Sequence, residues 1–193
     1  TSPHLLAYNE RVRVAGEPVG DAELCGAFER VERARDAVAL TYFEFGTLAA
    51  VDLFRAARVD IAILEVGLGG RLDAVNCWDA DIAMISSIGI DHTDWLGDTR
   101  EAIGREKAGI FRAGRPAICS DPAAPASIHE TAARGGAELL LVHREFDFEA
   151  RESGWNWRSR AQRRAGLPYP AMRGAYQLYN ASGVLMALEL LAP

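Results

Sequence analysis

Apolar and polar positions recur along this chain with two different periods. Over residues 23–36, Leu24, Phe28 and Val31 fall at helical spacing, with acid and base on the other face. A second helix is predicted over 45–58, where Leu48, Val51, Leu53 and Phe54 are the apolar positions. Residues 61–66 (IAILEV) then form a short β-branched run, the mark of a strand buried on both faces, and residues 82–88 (IAMISSI) form another. Thr99 can cap a helix that runs through Lys107. Residues 117–119 and 138–142 read as two more strands, separated by a helix over 125–134 that Gly135 and Gly136 close. Strands alternating with helices predict an α/β fold with a mostly parallel sheet flanked by helices. Around Ser153 and Gly154 the alternation turns to period two, which predicts an antiparallel hairpin over 146–158, and a last helix is predicted over 175–191.

Composition narrows the classes. The chain has 193 residues, 49% of them apolar, which suits one sizeable core and a single domain. A net charge of −6 offers no basic field for nucleic acid. No window approaches about 18 uncharged apolar residues, so no membrane partner is expected. The opening Thr1-Ser2-Pro3-His4 has neither a basic nor an apolar leader region, and a cytoplasmic location is expected. Cys25, Cys77 and Cys119 are far apart and odd in number, the pattern of ordinary reduced thiols. Of 21 basic residues, Lys107 is the one lysine, so an ionisable amine was kept at a single position.

Three strings carry candidate chemistry. Residues 65–74 (EVGLGGRLDA) leave a strand at its carboxyl end, where ligands sit in open α/β sheets. A carboxylate at Glu65 would point into that crevice and could hold a divalent metal; the glycines serve either a close ligand approach or only a tight turn. Residues 91–97 (DHTDWLG) follow the strand at 82–88, bringing His92 to the same sheet edge as Glu65. A histidine alone is commonly structural, whereas beside Glu65 it becomes a candidate metal ligand. Lys107, in residues 104–111 (GREKAGIF), is either a solvated helix residue or one whose apolar neighbours Ala108, Ile110 and Phe111 favour the neutral, chemically useful amine. Arg71 could contact phosphate or carboxylate, or form a structural salt bridge.

These strings, together with TSPHL at 1–5 and LTYFEF at 40–45, occur in an order that resembles the folylpolyglutamate synthases and dihydrofolate synthases of the Mur ligase superfamily. The likeness is dense over residues 1–112 and returns at 173–180 (RGAYQLYN). It implies the central ATPase domain of that superfamily, P-loop NTPase-like, in a ligase that joins dihydropteroate or a folate to L-glutamate through an acyl phosphate. By the same resemblance, ATP and two Mg2+ ions are the implied cofactors. Ser2 and Glu65 are implied ligands of the first ion and His92 of the second, while Lys107 matches a lysine that becomes carbamylated and serves as an anionic metal partner. Thr41, Phe43, Asp73 and Ala74 fall at the pterin site, and Asn180 at the adenine contact. The family's G-x-x-x-x-G-K-[ST] phosphate loop has no counterpart in these residues, so an incomplete domain is expected, inactive by itself, from an enzyme that works as a monomer. A Mur-type cell-wall amino-acid ligase and a non-catalytic interaction domain of the same fold are the alternatives. The pterin-side strings at 41–47 and 71–74 weigh against the first, and a phosphate loop encoded just upstream would dismiss the second.

Overall fold

The computed structural model describes residues 3–172, 174 and 176–191, in two compact units that divide after Trp78. In the first unit a 3-10 turn at Tyr8–Arg11 leads into a small antiparallel hairpin, β1 (Arg13–Val14) with β2 (Glu17–Pro18). Helices α1 (Asp21–Arg35) and α2 (Tyr42–Ala57) then pack on one another. Both begin a little earlier than the apolar pattern predicts, because each starts at a cap ahead of its first core residue. At α2, Thr41 accepts the Glu44 N–H at 3.3 Å while the Glu44 carboxylate takes the Thr41 N–H at 2.7 Å. This reciprocal capping box satisfies donors that an open helix end leaves bare. Leu24, Ala27 and Val31 of α1 meet Ala49, Ala50 and Leu53 of α2 in the core, joined by Val12 and Val19 from the hairpin region.

Residues 61–66 depart from expectation. They take no part in a ladder among the described residues, and Ile61 and Ile63 are 57% and 85% exposed. A β-branched run becomes a strand only where a neighbouring strand supplies ladder bonds and a surface to pack on. The hairpin strands of the first unit pair with each other and not with this run.

The second unit carries the predicted parallel α/β architecture. β3 (Ala83–Ile85), β4 (Pro116–Cys119) and β5 (Glu138–Leu141) form a parallel sheet in that order, with Met84, Ile118 and Leu140 in register. Successive side chains point to opposite faces. Ile85, Cys119 and Leu141 therefore pack on one side with Ile103, Ala108 and Ile128, contributed by α4 (Arg100–Lys107), the turn after it and α5 (Ala126–Gly135). A short α3 (Thr93–Leu96) precedes α4. Ile118 and Leu140 pack on the other side with Phe146, Trp157 and Met186. Burial on both faces is what the β-branched runs predicted. Cys119 is wholly inside the sheet, and burial pushes its thiol up to about 11.

The predicted hairpin is the first part of an antiparallel meander, β6 (Phe146–Arg151), β7 (Gly154–Ser159) and β8 (Arg163–Leu167). β8 is not predicted by periodicity, since RRAGL holds no apolar alternation. Helix α6 (Tyr176–Leu191) lies against β6 and β4. Trp157 ties the meander to it by donating its indole N–H to the Ser182 carbonyl at 3.1 Å.

The approach of α6 to the sheet depends on Gly183. A Cβ at this position would run into the Ser120 hydroxyl and the Met84 terminal methyl. Gly183→Ala in the complete protein is therefore expected to lower stability by about 1–3 kcal/mol, the usual cost of overpacking a filled core. Denaturant unfolding checks this, and a change below about 0.5 kcal/mol would show that the contact yields without strain.

Candidate active site

Within the first unit the structure gathers most of the predicted pterin-side residues. The Asp73 carboxylate accepts the N–H groups of Gly67 and Leu68 at 2.9 and 3.0 Å through one oxygen, and of Val75 at 3.0 Å through the other. It thereby folds the glycine-rich turn onto the start of the 3-10 turn at Ala74–Cys77. The half-buried Phe43 ring lies directly against Gly67, where a Cβ would approach its ring carbons to 2.8 Å. So Phe43, Gly67 and Asp73 form one cluster, with Ala74 beside it. Of the two readings of the glycines, this geometry requires at least one for close approach, by an aromatic side chain of the chain itself. Thr41 has the capping role at α2, and Glu65 is exposed where the 61–66 run ends. Ser2 lies outside the described residues.

Glu10 has a part that sequence reasoning missed. Its carboxylate accepts the N–H groups of Leu5, Leu6 and Ala7 at 2.8–2.9 Å, folding the segment that follows Ser2-Pro3-His4. Those three donors hold its pKa down to about 2. The signal was an acidic residue three to five positions after a run of open amides, which is too common a pattern to stand out.

In the second unit His92 and Lys107 sit on consecutive elements beyond β3. His92 caps α3 in the left-handed region at φ 51°, ψ 43°, an uncommon backbone for a side chain with a Cβ. Its backbone N–H bonds the Asp91 carboxylate at 2.7 Å, and its Nε2 lies 3.7 Å from the other Asp91 oxygen. The ring is 58% exposed, so packing does not account for its backbone conformation. Lys107 ends α4 and is half-buried beside buried Ala108, as its apolar neighbours predicted.

Asn180 stands on α6. Gly183 touches Ser120 just past the end of β4, while Met186 joins the cluster around Ile118 within that strand. The helix thus runs back along the strand, and Asn180, one turn before Gly183 on the same face, is placed toward the carboxyl edge. Its Oδ1 is buried with no hydrogen-bond partner among the described residues. A buried amide oxygen left this way forgoes about 1–3 kcal/mol, so the position suits a ligand that brings a donor.

Among the described residues no three His, Cys, Asp or Glu side chains converge as a metal site. Glu65 belongs to one unit, and His92 and Lys107 to the other. In the second unit His92 carries an imidazole, and a carbamylated Lys107 would add two oxygens of the kind a hard divalent ion takes.

A parallel sheet with helices on one face, and α6 and an antiparallel meander on the other, is an α/β architecture of the kind found in the Mur ligase fold. No family model matches the chain. It is 48% identical over 189 residues to the dihydrofolate synthase/folylpolyglutamate synthase of Escherichia coli, covering 98% of this chain and 44% of that protein. The structure of E. coli FolC in complex with DHPP and ADP superposes with a TM-score of 0.93 at 46% identity, covering 98% of this chain and 45% of that one. A bifunctional folylpolyglutamate synthase/dihydrofolate synthase with Mn, AMPPNP and L-glutamate bound gives 0.92 at 48% identity, covering 100% and 46%. Over nearly its whole length the chain matches members of the dihydrofolate synthase/folylpolyglutamate synthase family, and it spans less than half the length of these relatives.

Proposed function

We propose that this chain forms one wall of the active site of an ATP-dependent ligase that joins the carboxylate of dihydropteroate, or of a folate, to L-glutamate. The observation that carries this reading is the buried, unpartnered Oδ1 of Asn180 at the sheet's carboxyl edge. It is an acceptor suited to the exocyclic amine of adenine, in a chain whose relatives include one solved with ADP and one with AMPPNP.

In this reading ATP phosphorylates the substrate carboxylate. The glutamate amine then attacks the acyl phosphate, and phosphate leaves as the amide forms. Ser2 and Glu65 would hold one magnesium ion, and His92 with carbamylated Lys107 the other. Such ions supply charge neutralisation at the transferring phosphoryl group. The chain's own part is to fix substrates. Phe43 offers a ring face for the pterin, Asp73 and Ala74 shape the turn beneath it, and Thr41 opens the helix that carries Phe43. The Asp73 carboxylate has three backbone donors already, so its first task is to hold the loop, and its remaining acceptor capacity is what a ring N–H could use.

Phe43→Ala in the complete enzyme tests the substrate side. The Michaelis constant for the pteroate or folate substrate is expected to rise by roughly 5- to 150-fold, equivalent to about 1–3 kcal/mol of stacking and burial, with that for ATP nearly unchanged. Steady-state kinetics with each substrate varied decides it; equal effects on both would assign Phe43 to packing against Gly67 alone.

A further inference from the structure

We infer that the Asp121–Arg100 ion pair is a positioning device for the His92 loop, and through it for the ion assigned to His92; this rests on the metal reading proposed above. Asp121 lies just past β4 and is buried. One of its carboxylate oxygens accepts the Ile88 N–H and an Arg100 Nη2–H, both at 2.8 Å, and the other accepts the Ala123 N–H at 2.9 Å. Arg100 closes the ring by donating Nε–H to the Ile88 carbonyl at 2.8 Å and Nη2–H to the Ala123 carbonyl at 3.0 Å. The ion pair thus engages both backbone polar groups of Ile88, four residues before His92.

The far end of the loop is held by the same helix. Gly97, at φ 93°, sits where a Cβ would lie 2.7 Å from the Ala102 methyl, and Thr99 accepts the Ala102 N–H at 3.2 Å. Residues 89–97 are therefore fastened at both ends to the first turn of α4, the helix that ends in Lys107. α4 is itself fixed, since Glu101 accepts the Ala126 and Ser127 N–H groups at the start of α5. Those hydrogen bonds, the one from Ser127 foremost, lower the Glu101 pKa.

Arg100 occupies a position that electrostatics disfavours. It is the first residue of α4, where the helix dipole opposes a cation. Its compensation is the buried Asp121 carboxylate. A buried ion pair is often replaceable by apolar groups without loss of stability, so its value here lies in geometry. A guanidinium can bridge a carboxylate and two carbonyls at once, which one ammonium cannot match in direction. The pair references the strand exits of β3 and β4 and the helix bearing Lys107 to one rigid point. His92 keeps its left-handed backbone against that point.

The test uses the complete enzyme with Asp121→Asn and, in case that variant does not fold, Arg100→Lys. Mn2+ binding is measured in the presence of AMPPNP, together with hydrogen exchange of the amides at 89–97 and the thermal midpoint. The expected result is Mn2+ affinity weakened by about 10- to 100-fold, the range for residues that orient a metal ligand, with faster exchange confined to the loop. A lower midpoint with Mn2+ affinity and loop exchange unchanged would overturn the proposal. His92→Ala, measured alongside, separates the two claims. If it weakens Mn2+ binding while Asp121→Asn and Arg100→Lys do not, the positioning role fails alone. If it leaves Mn2+ binding unchanged, the metal reading fails and the positioning of the ion fails with it.

Discussion

Lys107→Arg in the complete enzyme is expected to abolish ligation, a loss on the order of 10³-fold or more. The substitution keeps a positive charge and similar length, so a lysine acting only as a cation would tolerate it well. A carbamate is different. The amine nitrogen bonds to carbon dioxide and gives up a proton, leaving a negative charge and two oxygens that suit hard divalent ions. Arginine cannot follow, because its guanidinium stays protonated at any accessible pH. The position agrees with such a role: Lys107 is half-buried at the end of α4, in a chain that uses arginine for all its other basic residues. Single-turnover ligation assays decide the question, with Lys107→Ala tested for partial rescue by short carboxylates. An Arg variant retaining activity within a few-fold of the parent would remove the carbamate from the mechanism.

Glu65→Gln is expected to cost at least about 100-fold in turnover of the complete enzyme. The exchange keeps volume and removes the charge that would face a metal ion. Because Glu65 is exposed, little of the loss should appear as lowered stability. Turnover and thermal midpoint measured on the same preparation separate the two roles. A large drop in midpoint with turnover per folded molecule preserved would make Glu65 structural.

Local pattern carried much of the architecture, and its failures have physical causes. β3, β4 and β5 were legible because strands buried on both faces must be apolar at nearly every position. The 61–66 run shares that composition, yet a strand is a property of a pair, and no described neighbour supplies the other half. β8 was illegible for the opposite reason: RRAGL is added at the rim of the meander, where few side chains have a core to meet. For the candidate site, Phe43 and Asp73 lie in strings that the sequence singles out, and the structure brings both against Gly67. Arg100 and Asp121 were passed over as one of many helix charges and a loop acid. Their partnership spans 21 positions, and pairing at that distance leaves no local period to detect. The alternation that predicted a hairpin at 146–158 succeeded because Trp155, Trp157 and Phe146 must face inward together.

The place of Cys119 gives the protein a built-in reporter of its own opening. Cys25 and Cys77 are exposed and open to a thiol reagent in the folded state, whereas Cys119 is shut inside the central strand of the parallel sheet. Its raised pKa keeps it in the less reactive thiol form even when small fluctuations admit reagent. Labelling of Cys119 therefore measures the lifting of α4 and α5 from the sheet face on which Cys119 packs. With Cys25 and Cys77 replaced by serine, the rate at which a single alkylating reagent modifies the chain would report the stability of the second unit, with no spectroscopic label added.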